Sequence, residues 1–182
     1  MAEFENWTTS PRTAVAQDDT LAFESPLLKA ALDVWRGKAA GAIPARNSLS
    51  PRDVKGFVGN LVIFERTAQC DYRIRLMGTK VSLVIGEMQG KTLEEALPTD
   101  VARRWKVALN KVRRGRRVFR IVNRVAFNNL DFLEAEILLA PLLDDAGRPE
   151  MVFGAVTFRS GVAAERSFDP GREKRTLATT PV

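Results

Sequence analysis

Three strand-like runs follow one another almost without interruption between Arg116 and Ser160: RRVFRIVNRVAF, DFLEAEILLAPLL and EMVFGAVTFRS. Only NNL and DDAGRP separate them, and both are turn chemistry. A parallel pairing needs a crossover of a dozen or more residues, so connections this short force neighbouring strands to run antiparallel. The second half of the chain is therefore a three-stranded antiparallel meander. Upstream, NLVIFERT (60–67) and DYRIRLM (71–77) flank a turn at Ala68–Cys70. In the second of these Tyr72, Ile74 and Leu76 alternate with Arg73 and Arg75, the pattern of a strand with one apolar face.

A helix separates the two strand groups. In TDVARRWKVALNKVRRG, Val101, Trp105, Leu109 and Val112 recur on one side, Thr99 is placed to cap, Asp100 suits the positive pole, and Gly115 is the expected stop. Two further starts stand nearer the N-terminus. Ser25-Pro26 opens a helix with Leu28, Ala31, Leu32 and Trp35 on one face, and Ser50-Pro51 with Asp53 repeats the device. Two hairpin-linked groups around a helical insert predict an α+β fold: a five-stranded antiparallel sheet with helices on one face, plus N-terminal helices.

With 182 residues, 45% of them apolar, the chain can bury one proper core. Residues 1–24 are polar and unpatterned and are expected to be a mobile lead-in, 25–160 the domain, and 161–182 a flexible tail rich in charge and turn formers. No window holds 18 consecutive apolar residues, and MAEFEN lacks the basic-then-apolar pattern of a secretory leader, so a cytoplasmic protein is expected.

The sequence has no histidine and one cysteine, Cys70. Imidazole-dependent nucleophile pairs, histidine-bound zinc and a proximal haem histidine are excluded, as are an internal disulfide and a cysteine zinc cluster. Carboxylate chemistry would need a tight acidic constellation. The candidates, Asp18-Asp19, Glu94-Glu95 and Asp144-Asp145, sit in turn-like or polar sequence and read as solvated surface, so no enzymatic function is expected.

Val84–Pro98, VIGEMQGKTLEEALP, has the outline of a phosphate-binding loop. Such a loop needs four residues between its first glycine and Gly-Lys-Ser/Thr, so that successive N–H groups wrap the phosphates. Gly86 and Gly90 leave three, and the helix that could begin near Leu93 meets Pro98. The stretch reads as a glycine-punctuated connection between short helices.

Charge is concentrated. From Val101 to Leu130 there are ten Lys or Arg residues and no acid, whereas the whole chain holds 28 bases and 22 acids. All the net positive charge lies in this block. A basic surface containing Arg113, Arg114, Arg116 and Arg117 would suit an acidic protein partner, ahead of nucleic acid or an anionic membrane face.

Across 25–160, Trp35 in DVWRGK, Pro44 and Arg46 in IPAR, Pro51, then Arg75, Gly78 and Thr79 in YRIRLMGTKV, Gly90, and Pro141-Leu142 follow one another in an order that resembles a PAS domain, in particular a divergent family of short bacterial PAS-like proteins. The resemblance implies a non-catalytic sensor or interaction module whose sheet and helices enclose a small-molecule cavity. Haem is disfavoured because its histidine is missing, and covalent flavin chemistry because Cys70 stands in a turn and not in the helix such chemistry uses. Pocket candidates are Tyr72, Ile74, Trp105, Asn123 and Glu136, with Glu134 beside them. Glu136, on a strand rich in Leu and Ile, needs a basic partner on the preceding strand or exposure at the sheet surface. A three-residue loop at Asn128–Leu130 would set Arg124 opposite Glu134. The apolar face of the first helix, Leu28, Leu32 and Trp35, is expected to carry a homodimer contact.

Overall fold

The computed structural model describes residues 16–18, 21–125, 127, 130 and 132–160. A six-stranded sheet organises them. In chain order its strands are β1 (Ala16–Asp18), β2 (Leu61–Arg66), β3 (Tyr72–Met77), β4 (Phe119–Arg124), β5 (Leu133–Leu142) and β6 (Met151–Ser160). They lie in the order β1-β4-β5-β6-β2-β3, and every neighbouring pair is antiparallel. The five expected strands form the expected sheet; β1 adds a short sixth strand at the β4 edge. β1 pairs with Arg120–Val122, and Phe23 is buried in the core, so the packed residues begin ahead of residue 25. The 161–182 segment lies outside the described residues.

Helices cover both faces. On one pack α3 (Thr79–Ile85), α4 (Leu93–Ala96) and α5 (Thr99–Gly115), with Leu109 and Val112 against Ile121, Ile137 and Leu139. On the other lie α1 (Pro26–Ala39) and the single turn α2 (Pro51–Val54), with Leu28, Leu32 and Trp35 against Leu138, Ala140 and Phe153. Hence β5 is buried on both sides from Ala135 to Leu142, and its sequence reads as an apolar run without alternation. The same packing corrects the expected dimer contact: the face formed by Leu28, Leu32 and Trp35 is spent on the sheet and is closed to a second copy.

The local signals act largely as expected. The Ser25 hydroxyl accepts from the Leu28 N–H at 3.4 Å, and Ser50 and Asp53 form a reciprocal capping box, which Lys38 joins at 2.9 Å. Thr92 and Glu95 form another at the start of α4. Two details of α5 differ. Thr99 makes no cap, because Pro98 holds the N-cap position, and the left-handed residue that ends the helix is Arg116 (φ 51°), not Gly115. The strand after it is correspondingly shorter than the expected 116–127.

In β3 the alternation slips once. Ile63 pairs with Leu76 and Phe64 with Ile74, so Arg75 is an extra residue on its strand. Tyr72 and Ile74 face α5, but Leu76 beyond the bulge turns to the α1 side and Met77 takes the inward place. The apolar triplet Tyr72, Ile74, Leu76 does not share a face.

The Gly90-Lys91-Thr92 stretch closes the outer edge of this strand. The Ile74 N–H donates to the Lys91 carbonyl (2.9 Å) and the Gly90 N–H to the Ile74 carbonyl (2.7 Å), while Gln89 Oε1 accepts from the Met77 N–H (3.0 Å). Its backbone is consumed in capping an exposed sheet edge. This leaves no nest of free N–H groups for a phosphate.

Candidate functional site

Between the sheet and α3–α5 the packing leaves an apolar cavity of about 110 Å³. Its floor is the inward side of the sheet, with Phe64, Ile74, Ala135 and Ile137; its roof is Val81, Met88, Leu93, Leu97, Val101 and Trp105. The Trp105 ring lies on Phe64 at 6.3 Å between centroids and 25° between planes, which ties α5 to β2 at the wall. Three polar side chains reach the lining: Arg104, Asn123 and Arg124. Arg104 is held by Asp100 at 3.0 Å. Asn123 occupies the β4 position between Ile121 and Val125, both of which face α5. Its side-chain oxygen is buried and has no hydrogen-bond partner among the described residues.

Of the residues expected at a pocket, Ile74, Trp105 and Asn123 line this cavity. Tyr72 belongs to the same apolar cluster but stands outside the lining; its hydroxyl donates to Asn110 Oδ1 at 3.0 Å. Burial raises the phenol above its ordinary range, with Arg113 and Arg66 acting against that shift.

Glu136 is corrected: it stands on the opposite face of β5. There its carboxylate accepts from the backbone N–H groups of Glu24 and Ser25, both at 2.9 Å, and pairs with Arg120 Nε at 2.7 Å. Burial works to raise this carboxyl, but the two N–H donors and the guanidinium outweigh it and hold it below the usual glutamate range. Of the two arrangements open to it, a basic partner on the preceding strand or exposure, Glu136 takes the first. Arg124 stands opposite Glu134 in the ladder, the register of a three-residue loop, although Glu134 pairs with Arg159 on β6.

The basic block divides in two. Arg104, Lys106, Arg113 and Arg120 are engaged: with Asp100, with Asp71 and Glu94, with Glu150, and with Glu136 and Glu24. Arg113 therefore leaves the patch in which sequence placed it, since it points to the start of β6 and shares Glu150 with Arg66. Arg103, Lys111, Arg114, Arg116, Arg117 and Arg124 remain exposed. Sequence reading missed Asp71. Its Oδ1 accepts from the Tyr72 N–H (2.7 Å), its Oδ2 from the Glu94 N–H at the start of α4 (3.2 Å), and Lys106 of α5 joins it. Nothing in the turn sequence AQCD marks an aspartate that serves a helix more than twenty residues away. Cys70, beside it, is exposed and has no place in the cavity lining.

Residues 23–157 match a family model described as PAS domain. The chain belongs to the PAS domain family. The positions that carried the PAS resemblance turn out to hold the scaffold together. The Trp35 indole N–H donates to the Pro141 carbonyl at 2.9 Å, beyond the last β4 partner at Leu139, where that carbonyl has no strand to bond. Pro44 and Arg46 bracket a parallel bridge between Ala45 and Leu143, the Leu143 N–H bonding to Pro44 and the Arg46 N–H to Leu143. Gly78 passes so close to the turn Val58–Asn60 that a Cβ there would overlap the Gly59 carbonyl and the Val58 oxygen.

Among solved structures, this PAS chain is similar to a sensory box histidine kinase/response regulator from Burkholderia thailandensis E264 (18% identity, TM-score 0.36, covering 67% of this chain and 91% of that one). It is also similar to an RNA-binding light-oxygen-voltage receptor (12% identity, TM-score 0.43, covering 91% of this chain and 46% of that one). At these values neither likeness bears on what this PAS domain binds. No curated protein gives a match. Among the described residues no helix is long and apolar enough to cross a membrane, and no group of three or more His, Cys, Asp or Glu could hold a metal.

Proposed function

We propose that this PAS domain is a non-catalytic sensor module that takes a small, largely apolar molecule into the cavity between the sheet and α3–α5. The observation that carries the reading is the buried Asn123 oxygen, an acceptor without a partner among the described residues, in an otherwise apolar lining. Ligand sites combine apolar walls with a few placed polar groups, and an unsatisfied buried acceptor costs roughly 1–3 kcal/mol until a donor reaches it. A cavity of about 110 Å³ compares with about 150 Å³ for an engineered apolar cavity that takes benzene or xenon. The occupant is therefore a compact molecule with one hydrogen-bond donor, and neither haem nor a flavin. Its arrival changes how Trp105 and α5 sit on Phe64, which is the signal.

Native mass spectrometry of the purified protein tests this reading directly, by showing a retained small molecule. Titration with phenol, a benzene-sized donor, gives a second arm. It should shift the Trp105 indole N–H signal in the wild type and bind about tenfold more weakly to Asn123→Leu; equal binding by the two would sink the role of Asn123.

A second reading rests on the outer side of α5. Arg103, Lys111 and Arg114 surround Val107, which is 65% exposed. Cations around an exposed apolar centre suit an acidic protein surface better than a phosphate backbone. Pull-down with an acidic partner should depend on Val107 as well as on salt, whereas binding to nucleic acid or anionic vesicles would depend on salt alone.

A further inference from the structure

We infer a second ligand site, for a small organic anion with an aromatic or aliphatic body, in the cleft beside the C-terminal end of α1. The cleft measures about 690 Å³, within the range of small-molecule sites. It is bounded by the C-terminal end of α1, the β5–β6 turn, and the junction of α5 with β4. Its walls carry Trp35, Ile43, Leu143 and Pro149, and two arginines, Arg36 and Arg116, reach it from different elements. No acidic residue lines it. The nearest acidic turn residue, Asp144, is taken up by Arg148 at 2.8 Å and by the turn N–H groups of Ala146 and Arg148. Neither Arg36 nor Arg116 forms an ion pair among the described residues.

A second observation points the same way. Arg116 is the left-handed residue that ends α5, at φ 51°, a conformation glycine adopts freely and other L-residues adopt with strain. Glycine stands one position earlier, inside the helix, at Gly115. An exchange of these two residues would relieve the strain and withdraw the guanidinium from the cleft. Ala40 ends α1 in the same region (φ 43°), so strain alone assigns nothing; at Arg116 it coincides with a guanidinium that lines the cleft. A guanidinium binds carboxylate or sulfonate as a bidentate fork, a second one in the same cleft adds to the anion's attraction, and the apolar wall beside them receives the body of the ligand. Because Trp35 belongs to α1 and Arg116 to α5, the anion would clamp helices from opposite faces of the sheet.

The probe is 1-naphthoate, with 1-naphthalenemethanol as its neutral counterpart, observed through the tryptophan indole N–H signals. Trp35 lines the cleft and Trp105 the apolar cavity, so the two sites report separately. Naphthoate should shift the Trp35 signal and leave Trp105 unmoved, and the alcohol should bind at least about tenfold more weakly. Arg36→Gln and Arg116→Gly should each weaken naphthoate about tenfold. Arg116→Gly should at the same time melt about 3 °C higher, because glycine relieves the left-handed turn, so lost binding cannot be laid to lost folding. Three results would overturn the site: a response of Trp105 alone, equal affinity for acid and alcohol, or wild-type affinity in Arg116→Gly. Failure to saturate by about 10 mM would do so as well. A response of Trp105 alone would place naphthoate in the Asn123 cavity; the other outcomes leave that cavity to its own titration.

Discussion

Two glycines show how differently one residue type is constrained. At Gly78 a methyl group would run into the backbone of Gly59 and Val58, which cannot swing aside as a side chain can. Gly78→Ala is expected to cost about 3 kcal/mol, measured by urea unfolding. Gly37, exposed in α1, has nothing within 4 Å of the position a Cβ would take, and Gly37→Ala should gain up to about 1 kcal/mol from helix propensity. Among the described residues Glu136 is the most deeply buried charged side chain, at 2% exposure. Its folded carboxyl titrates below the usual glutamate range, so its contribution is complete above about pH 4.5 and is lost as pH falls through the folded value. Glu136→Gln should therefore lose about 3 kcal/mol at pH 7, because the Glu24 and Ser25 N–H groups and the Arg120 guanidinium lose the buried anion they converge on, and Arg120 keeps only the more exposed Glu24. That deficit should shrink in chemical denaturation below about pH 4.

At the scale of elements, the first helix is held by more than apolar burial. The Trp35 indole anchors it to the Pro141 carbonyl, and the Ala45–Leu143 bridge fastens the segment that follows. Trp35→Phe keeps the ring and removes the donor, leaving a buried carbonyl unpaired; a loss of about 1–2 kcal/mol in thermal or urea unfolding is expected. The helix itself was legible, since Ser25, Pro26 and the spacing of Leu28, Leu32 and Trp35 announce it. What lay beyond local reading was its partner. An apolar face fits a sheet or a second copy equally well, and the choice depends on which side of β5 is still bare once α3–α5 have docked. The β3 bulge was equally hidden, because Tyr72, Ile74 and Leu76 keep perfect alternation in sequence while Arg75 breaks it in space.

For the whole molecule, β5 and β6 are common property: both faces of the sheet bury their cores against them. Stripping either helical layer exposes the same strands, so the two layers should unfold together. Trp105 reports on one face and Trp35 on the other; in a Trp7→Phe background, urea unfolding of Trp35→Phe and Trp105→Phe, each followed by the remaining tryptophan and by far-UV circular dichroism, should give coincident single transitions with equal slopes. Separate midpoints within one variant would show that a layer comes away alone.

The sequence by itself determined the elements and their connectivity: turn chemistry three to six residues long, helix starts marked by serine and proline, and a central run too apolar to face water. These are local properties, written in neighbouring residues. The tertiary structure decided which cations are free and which are paired, that Glu136 looks away from the cavity while Asn123 looks in, and that Gly90 and Lys91 seal a sheet edge. Each of these depends on groups tens of residues apart meeting in one place, and a carboxylate or an arginine carries no mark in its own surroundings of the partner the fold will bring to it.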